Sequence, residues 1–197
     1  MLSHLRVLDL TDEGAMIAGQ MLGDLGADVV LIEPPAGALA RTMAPFYKND
    51  AHPDRSLTFW SLNRNKRGIT LDLDTKDGQE RLRELAKTAD FIFESKAPGY
   101  LDARGIGYRD LSAINPRLIM ASITPFGAQP AKADWAGADL VAWASSGAMN
   151  VCGDDDRSPL GLAVPQASLH AGAEAAAGAL IAHFGRERDG AGQHIDV

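Results

Sequence analysis

The run Ala27 to Glu33 (ADVVLIE) follows Gly26 directly and places Val29, Val30, Leu31 and Ile32 in succession. A strand with one wet face alternates apolar and polar residues, so an unbroken run of this kind belongs to a parallel strand covered by helices on both faces. Upstream, Leu5 to Leu10 is a short apolar β-type run, and Thr11 and Asp12 can cap a helix beginning near Glu13. Met16, Ile17, Gln20, Met21 and Leu25 recur at helical spacing until Gly26. Strand, helix and strand in this order form a βαβ unit with a right-handed crossover, which commits the chain to an α/β class.

The alternation continues. Pro34 to Phe59 lapses into prolines, glycine and mixed charges and reads as a long surface excursion, a length that suggests function. Gly68 to Leu73 alternates like a strand, and Thr75 to Thr88 is helical with Leu82, Leu85 and Ala86 inward. Asp90 to Glu94 is the next strand, closed by the turn Ala97-Pro98-Gly99. Asp110 to Ile114 reads as a short helix and Arg117 to Thr124 as a buried strand. Ala136 to Ala148 and Gln166 to Phe184 are helices of small residues, which permit close packing on another helix or on a cofactor backbone. Gly192 to Val197 begins a strand pattern, and the chain then stops. A nascent buried strand draws its ladder partners from its surroundings, so the expectation is a fragment boundary or the splitting point of a two-part protein.

Composition narrows the function classes. The 197 residues are 46% hydrophobic and 23% charged, which describes a globular chain with a substantial core. A net charge of -7 offers no clustered basic face for nucleic acid, and an anionic ligand must be held locally. Cys152 is the one cysteine and has no internal disulfide partner. The start MLSHLRVLDL lacks the features of a signal peptide, which makes the cytoplasm the expected compartment. Apolar runs such as Leu160 to Pro165 fall well short of the roughly 20 residues that span a bilayer, so no membrane segment is expected.

Motif chemistry removes further classes. Thr11-Asp12-Glu13-Gly14 puts two carboxylates where a dinucleotide pyrophosphate would approach, so a nicotinamide dehydrogenase is not expected. No Walker A, GxSxG or metal-spaced Cys and His cluster is present, and no metal is expected. Gly153-Asp154-Asp155-Asp156-Arg157 lacks the ligand spacing of an EF-hand and reads as a polar turn. The five histidines are scattered, with His170 singled out by its place on the alanine-rich helix. Asn63-Arg64-Asn65-Lys66-Arg67 is the densest basic element, and it fits either a solvated turn or a site for a phosphate-bearing ligand.

Six segments in order resemble family III CoA-transferases of the CaiB/BaiF type: LxVLDLT, Gln20 to Glu33, Asn63 to Leu73, Asn115 to Ile119, Ser122 to Gly127 and Gly190 to Val197. The match runs over essentially the whole chain. The resemblance implies a Rossmann-like parallel sheet flanked by helices, with residues 1–197 forming the amino-terminal part of the large domain. The small domain and the return segment that interlocks two subunits would lie outside it. It implies coenzyme A as substrate and acyl-CoA and a carboxylic acid as partners.

Family members form an acyl anhydride on an aspartate, which splits one hard exchange into easier covalent steps. By the resemblance that aspartate falls at Ser168, four residues before Gly172. Racemase relatives use a histidine that falls at Ala138. The pattern PQAxxHAGAEAA is similar to a branch that includes the non-catalytic subunit of benzylsuccinate CoA-transferase, which works with an aspartate-bearing sister. The resemblance therefore implies a homo- or hetero-oligomeric CoA-transferase component that is not catalytically competent alone. An acyl-CoA racemase and a CoA-binding partner without chemistry are the alternatives. CoA contacts carry over to Gly14 and Ala15, to Leu71, Asp72, Leu73 and Asp74, and to Ser95, Lys96 and Ala97.

Overall fold

The computed structural model describes residues 1–128 and 131–197 and begins with strand β1 (Arg6–Leu10), helix α1 (Ile17–Asp24) and strand β2 (Asp28–Glu33). Then come α2 (Leu57–Leu62), β3 (Lys66–Thr70), α3 (Lys76–Ala86), β4 (Phe91–Glu94) and α4 (Tyr108–Ile114). The chain continues through β5 (Ile119–Ser122), α5 (Asp139–Ser145), the long α6 (Ala167–Asp189) and β6 (His194–Asp196). The six strands form one sheet in the order β3-β2-β1-β4-β5-β6, with every pairing parallel. This is the doubly wound arrangement in which the strand order reverses between β1 and β4.

The two faces of the sheet are packed separately. Val7, Val29, Phe91, Phe93, Ile119 and Ala121 bury one face under α1 and α6, where Ala175, Ala179 and Ala182 meet them. Leu8, Leu10, Val30, Ile32, Ile92 and Met120 bury the other against Leu82, Ala86 and Leu111 of α3 and α4. Each such side chain contributes about 1.5–3 kcal/mol by leaving water, so neither layer is dispensable. The small residues of α6 serve this packing: a methyl built on Gly172 would sit 2.6 Å from Ile17 Cγ2 and 3.0 Å from the Ala15 carbonyl oxygen. At the far end of α6, buried Arg186 donates to Asp90 Oδ1 at 2.9 Å and to the Arg117 carbonyl at 2.9 Å. That anchor accompanies the helix's continuation past Phe184, where the sequence pattern placed its end.

Other parts of the chain also differ from expectation, among them the helix read over Ala136 to Ala148, which spans Asp139–Ser145. Glu13–Met16 is a tight 3-10 turn, and α1 proper starts at Ile17. The strand expected over Gly68 to Leu73 is displaced upstream, because Lys66 and Arg67 pair with Val29 and Val30 and the ladder ends at Thr70. Within the excursion, Ser56 caps the unforeseen α2 by accepting from Phe59 N at 3.1 Å. Six residues are too few to display a helical period, so only the cap could have signalled it. The excursion is packed: Ala38, Ala40, Phe59 and Leu62 are buried with Met16 and Leu31. Arg41 lies 3.9 Å from the Phe59 ring centre and donates to Glu33 Oε1 at 2.8 Å.

Candidate functional site

In an open parallel sheet the crevice at the carboxyl ends of two strands whose connections diverge is the natural ligand site. Here β1 and β4 are those strands. The loop after each one meets the other: Asp12 N donates to Ser95 Oγ at 2.9 Å. The Asp12 carboxylate accepts from Glu13 N at 2.8 Å, Leu39 N at 2.7 Å and Ala40 N at 3.0 Å, so the excursion is tied to the same loop. Glu13 is held at φ 50°, a conformation unusual for a non-glycine residue and maintained only where surrounding contacts impose it.

Gly14 and Ala15 follow at once and back onto the first turns of α6. A methyl on Gly14 would lie 2.2 Å from Ser168 Oγ and 2.9 Å from Ser168 Cβ. The expected contact pair and Ser168 are thus adjacent. The α6 N-terminus is capped from α5: Asp139 Oδ1 accepts from Ala167 N at 2.7 Å and Ser168 N at 3.3 Å, and Oδ2 from Gln166 N at 3.1 Å. Asp139 was not singled out by the sequence reading, although it adjoins Ala138. His170 lies with its ring 5.7 Å from that of Trp143 on α5.

The remaining expected contacts follow the carboxyl ends of β3 and β4. Leu71 N still donates to the Glu33 carbonyl at 2.9 Å, and Leu73 is buried against the α3 and α4 side. Asp72 supports the start of α3, its carbonyl accepting from Thr75 N at 3.1 Å. Asp74 accepts from Tyr100 Oη at 3.1 Å and Arg104 Nε at 2.9 Å. These bonds and the Arg104 charge hold its carboxyl below the ordinary range. Arg104, stacked 3.6 Å over the Tyr100 ring, joins the 71–74 loop to the segment that follows Ser95, Lys96 and Ala97. It was missed because its role depends on a contact thirty positions away in sequence.

Within the basic element Asn63 to Arg67, Lys66 is not available to a phosphate. Lys66 Nζ donates to Asp9 Oδ2 at 2.7 Å, the Met16 carbonyl at 2.7 Å and Asn63 Oδ1 at 2.9 Å. An ammonium has three donors, and all three are engaged. Arg67 donates to Asp28 Oδ1 at 2.5 Å and Asn65 to Asp24 Oδ1 at 2.8 Å, while Arg64 lies 3.7 Å from Asp24. Lys66 is bound up in the protein itself, while Arg64 and Arg67 keep 63% and 68% of their side chains exposed.

Beyond Ala97 a cavity of about 540 Å³ opens between the ends of β4, β5 and β6 and α4. Glu94, Tyr108, Ser122 and His194 line it. Ser122 Oγ lies 2.9 Å from His194 Nε2, and the Tyr108 and His194 rings stack at 5.0 Å. Burial pushes the Glu94 carboxyl up despite hydrogen bonds from Ser122 and from Lys96 N. Burial likewise pushes His194 down. This cavity lies on the opposite side of the sheet from α6. Among the described residues no helix is long and apolar enough to cross a membrane.

Comparison with known proteins agrees with this geometry. The model of CoA-transferase family III matches residues 2–197. Over 195 residues the chain is 40% identical to the succinyl-CoA:(R)-benzylsuccinate CoA-transferase subunit BbsE of Thauera aromatica, covering 99% of this chain and 48% of that protein. It is 38% identical over 197 residues to the formyl-CoA:oxalate CoA-transferase of Streptomyces avermitilis, covering 100% of this chain and 47% of the relative. The crystal structure of a CAIB/BAIF family protein from Brucella suis superposes with a TM-score of 0.91 at 38% identity, over 99% of this chain and 52% of that one. The chain spans about half the length of the curated relatives it matches. With parallel sheet, crevice and sequence in agreement over nearly every residue, the chain belongs to CoA-transferase family III.

Proposed function

We propose that this chain is a component of a CoA-transferase that moves CoA between carboxylic acids, in the role of the subunit or half without the catalytic carboxylate. One observation carries the reading. At the turn where Gly14 abuts α6 the side chain is a serine, and the carboxylate that reaches this turn, Asp139, is engaged by three backbone N–H groups. In anhydride-mediated transfer a carboxylate attacks the thioester carbonyl and CoA thiolate leaves; the thiolate then attacks the enzyme carboxyl's own carbonyl, which expels the donor acid and leaves an enzyme thioester, and the acceptor acid takes the CoA by the same two steps in reverse. A serine at that place gives an ester, which is far less reactive toward a thiolate.

Gly14, Ala15, Asp74, Ser95 and Ala97 all follow the carboxyl ends of strands, and the bond from Asp12 N to Ser95 Oγ ties the loops after β1 and β4 together, which supports coenzyme A as the ligand. A sister subunit or domain then supplies the aspartate, a reading supported by the similarity to a protein named as a transferase subunit. Purified alone, the protein is expected to bind CoA in a calorimeter and to transfer none between an acyl-CoA and a carboxylate. Ser168→Asp is expected to yield an acyl group trappable by hydroxylamine. Transfer by the unaided protein that Ser168→Ala abolishes is the result that sinks the non-catalytic role.

A further inference from the structure

The Asp9–Lys66 ion pair is withdrawn from solvent, with side-chain exposures of 0% and 1%. Removing two charges from water costs several kcal/mol per ion, and apolar residues of similar volume often replace such pairs without loss of stability. Stability alone is therefore a weak account of the pair. Its geometry supplies a better one. Lys66 sits at the start of β3, Asp9 in β1, and the third partner is the Met16 carbonyl, the last residue of the turn that carries Gly14 and Ala15.

Further contacts make the arrangement a clamp. Asp9 Oδ1 accepts from Thr11 N at 3.1 Å and Thr11 Oγ1 at 2.5 Å, which fixes the beginning of the same loop. Asn63 Nδ2 donates to the Phe59 carbonyl at 2.9 Å and contacts Met16 Sδ at 3.1 Å, so the lysine's second anchor is itself anchored. α1 makes room with Gly19, where a methyl would lie 2.2 Å from Asp9 Oδ2. The loop between Thr11 and Met16 is thus gripped at both ends from beneath, with the unfavourable backbone of Glu13 between the grips.

We infer that Lys66, with Asp9, is a positioning residue for the nucleotide-contact loop: it sets the height of Gly14 and Ala15 over the crevice without touching the ligand. This rests on the CoA-binding reading above. Pre-organisation of this kind raises affinity by removing the cost of ordering a loop on binding.

The test separates position from stability. The double variant Asp9→Leu, Lys66→Met removes the pair and also strips partners from Thr11 N, the Met16 carbonyl and Asn63 Oδ1, so it is expected to melt below wild type and, at a temperature where both proteins are folded, to bind CoA about tenfold or more weakly by calorimetry. Amide exchange is expected to quicken at Gly14 to Met16 and stay slow in β1. Wild-type affinity in the folded double variant overturns the inference. Should wild type itself bind no CoA, the ligand reading falls, and unchanged exchange at Gly14 to Met16 in the double variant separately overturns the positioning role. If the double variant does not fold, Thr11→Val removes the hydroxyl's bond to Asp9, and the same two readouts decide.

Discussion

Gly14 and Ser168 are in contact where the 13–16 turn meets the first turn of α6, with room between them for a hydrogen and not for a methyl. Gly14→Ala therefore forces either the 13–16 turn or the first turn of α6 to move. Overpacking of this kind costs about 1–3 kcal/mol. Urea denaturation should register that loss, and calorimetry should register weakened CoA binding, since both sides of the contact belong to the candidate site.

Asp139 holds the α6 N-terminus through three N–H groups and is expected to behave as an N-cap. Asp139→Ala should destabilise the protein by about 0.5–2 kcal/mol and speed amide exchange at Ala167 and Ser168. Asp139→Asn, which keeps an acceptor oxygen, should recover much of that loss. Equal effects of the two substitutions would argue against capping.

Glu94 has a folded-state pKa raised above its ordinary 4.5 by burial. Between 4.5 and the raised value the folded state holds a proton that the unfolded chain has released, so this group's contribution to stability falls as pH rises. Glu94→Gln removes the titration. Relative to wild type, the variant should gain stability as pH climbs from 4.5 through that window, and thermal melts across the range would reveal it. His194, lowered from 6.5, acts in the opposite direction, so the difference between the two proteins at each pH is the meaningful quantity.

Arg104 joins Asp74 and Tyr100 at the surface, where ion pairs are screened and add little to folding. Arg104→Ala, which also loses the stacking on Tyr100 and the bond to its carbonyl, should lower stability by about 1 kcal/mol. If the 71–74 loop and the segment after β4 form one contact for CoA, the same change should weaken CoA binding. Unchanged CoA binding in the folded variant would argue against that joint contact.

Much of this was legible in the sequence because it depends on local pattern. The β-branched run at Val29 to Ile32, the helical spacing of Met16 to Leu25 and the Gly26 break determined a parallel α/β sheet, and the ordered segments identified the family. The expectation that Ser168 stands where the family has its aspartate rests on its distance from Gly172. What only the tertiary structure decided was the partner of each charge. Lys66 in its basic run reads equally as a turn cation or a phosphate ligand, and its burial against Asp9 and Met16, with all three donors used, settled the matter. Arg104 and Asp139 escaped notice for the same reason: a charge is assigned by what lies within a few ångströms, and parallel crossovers bring those neighbours from distant points of the chain.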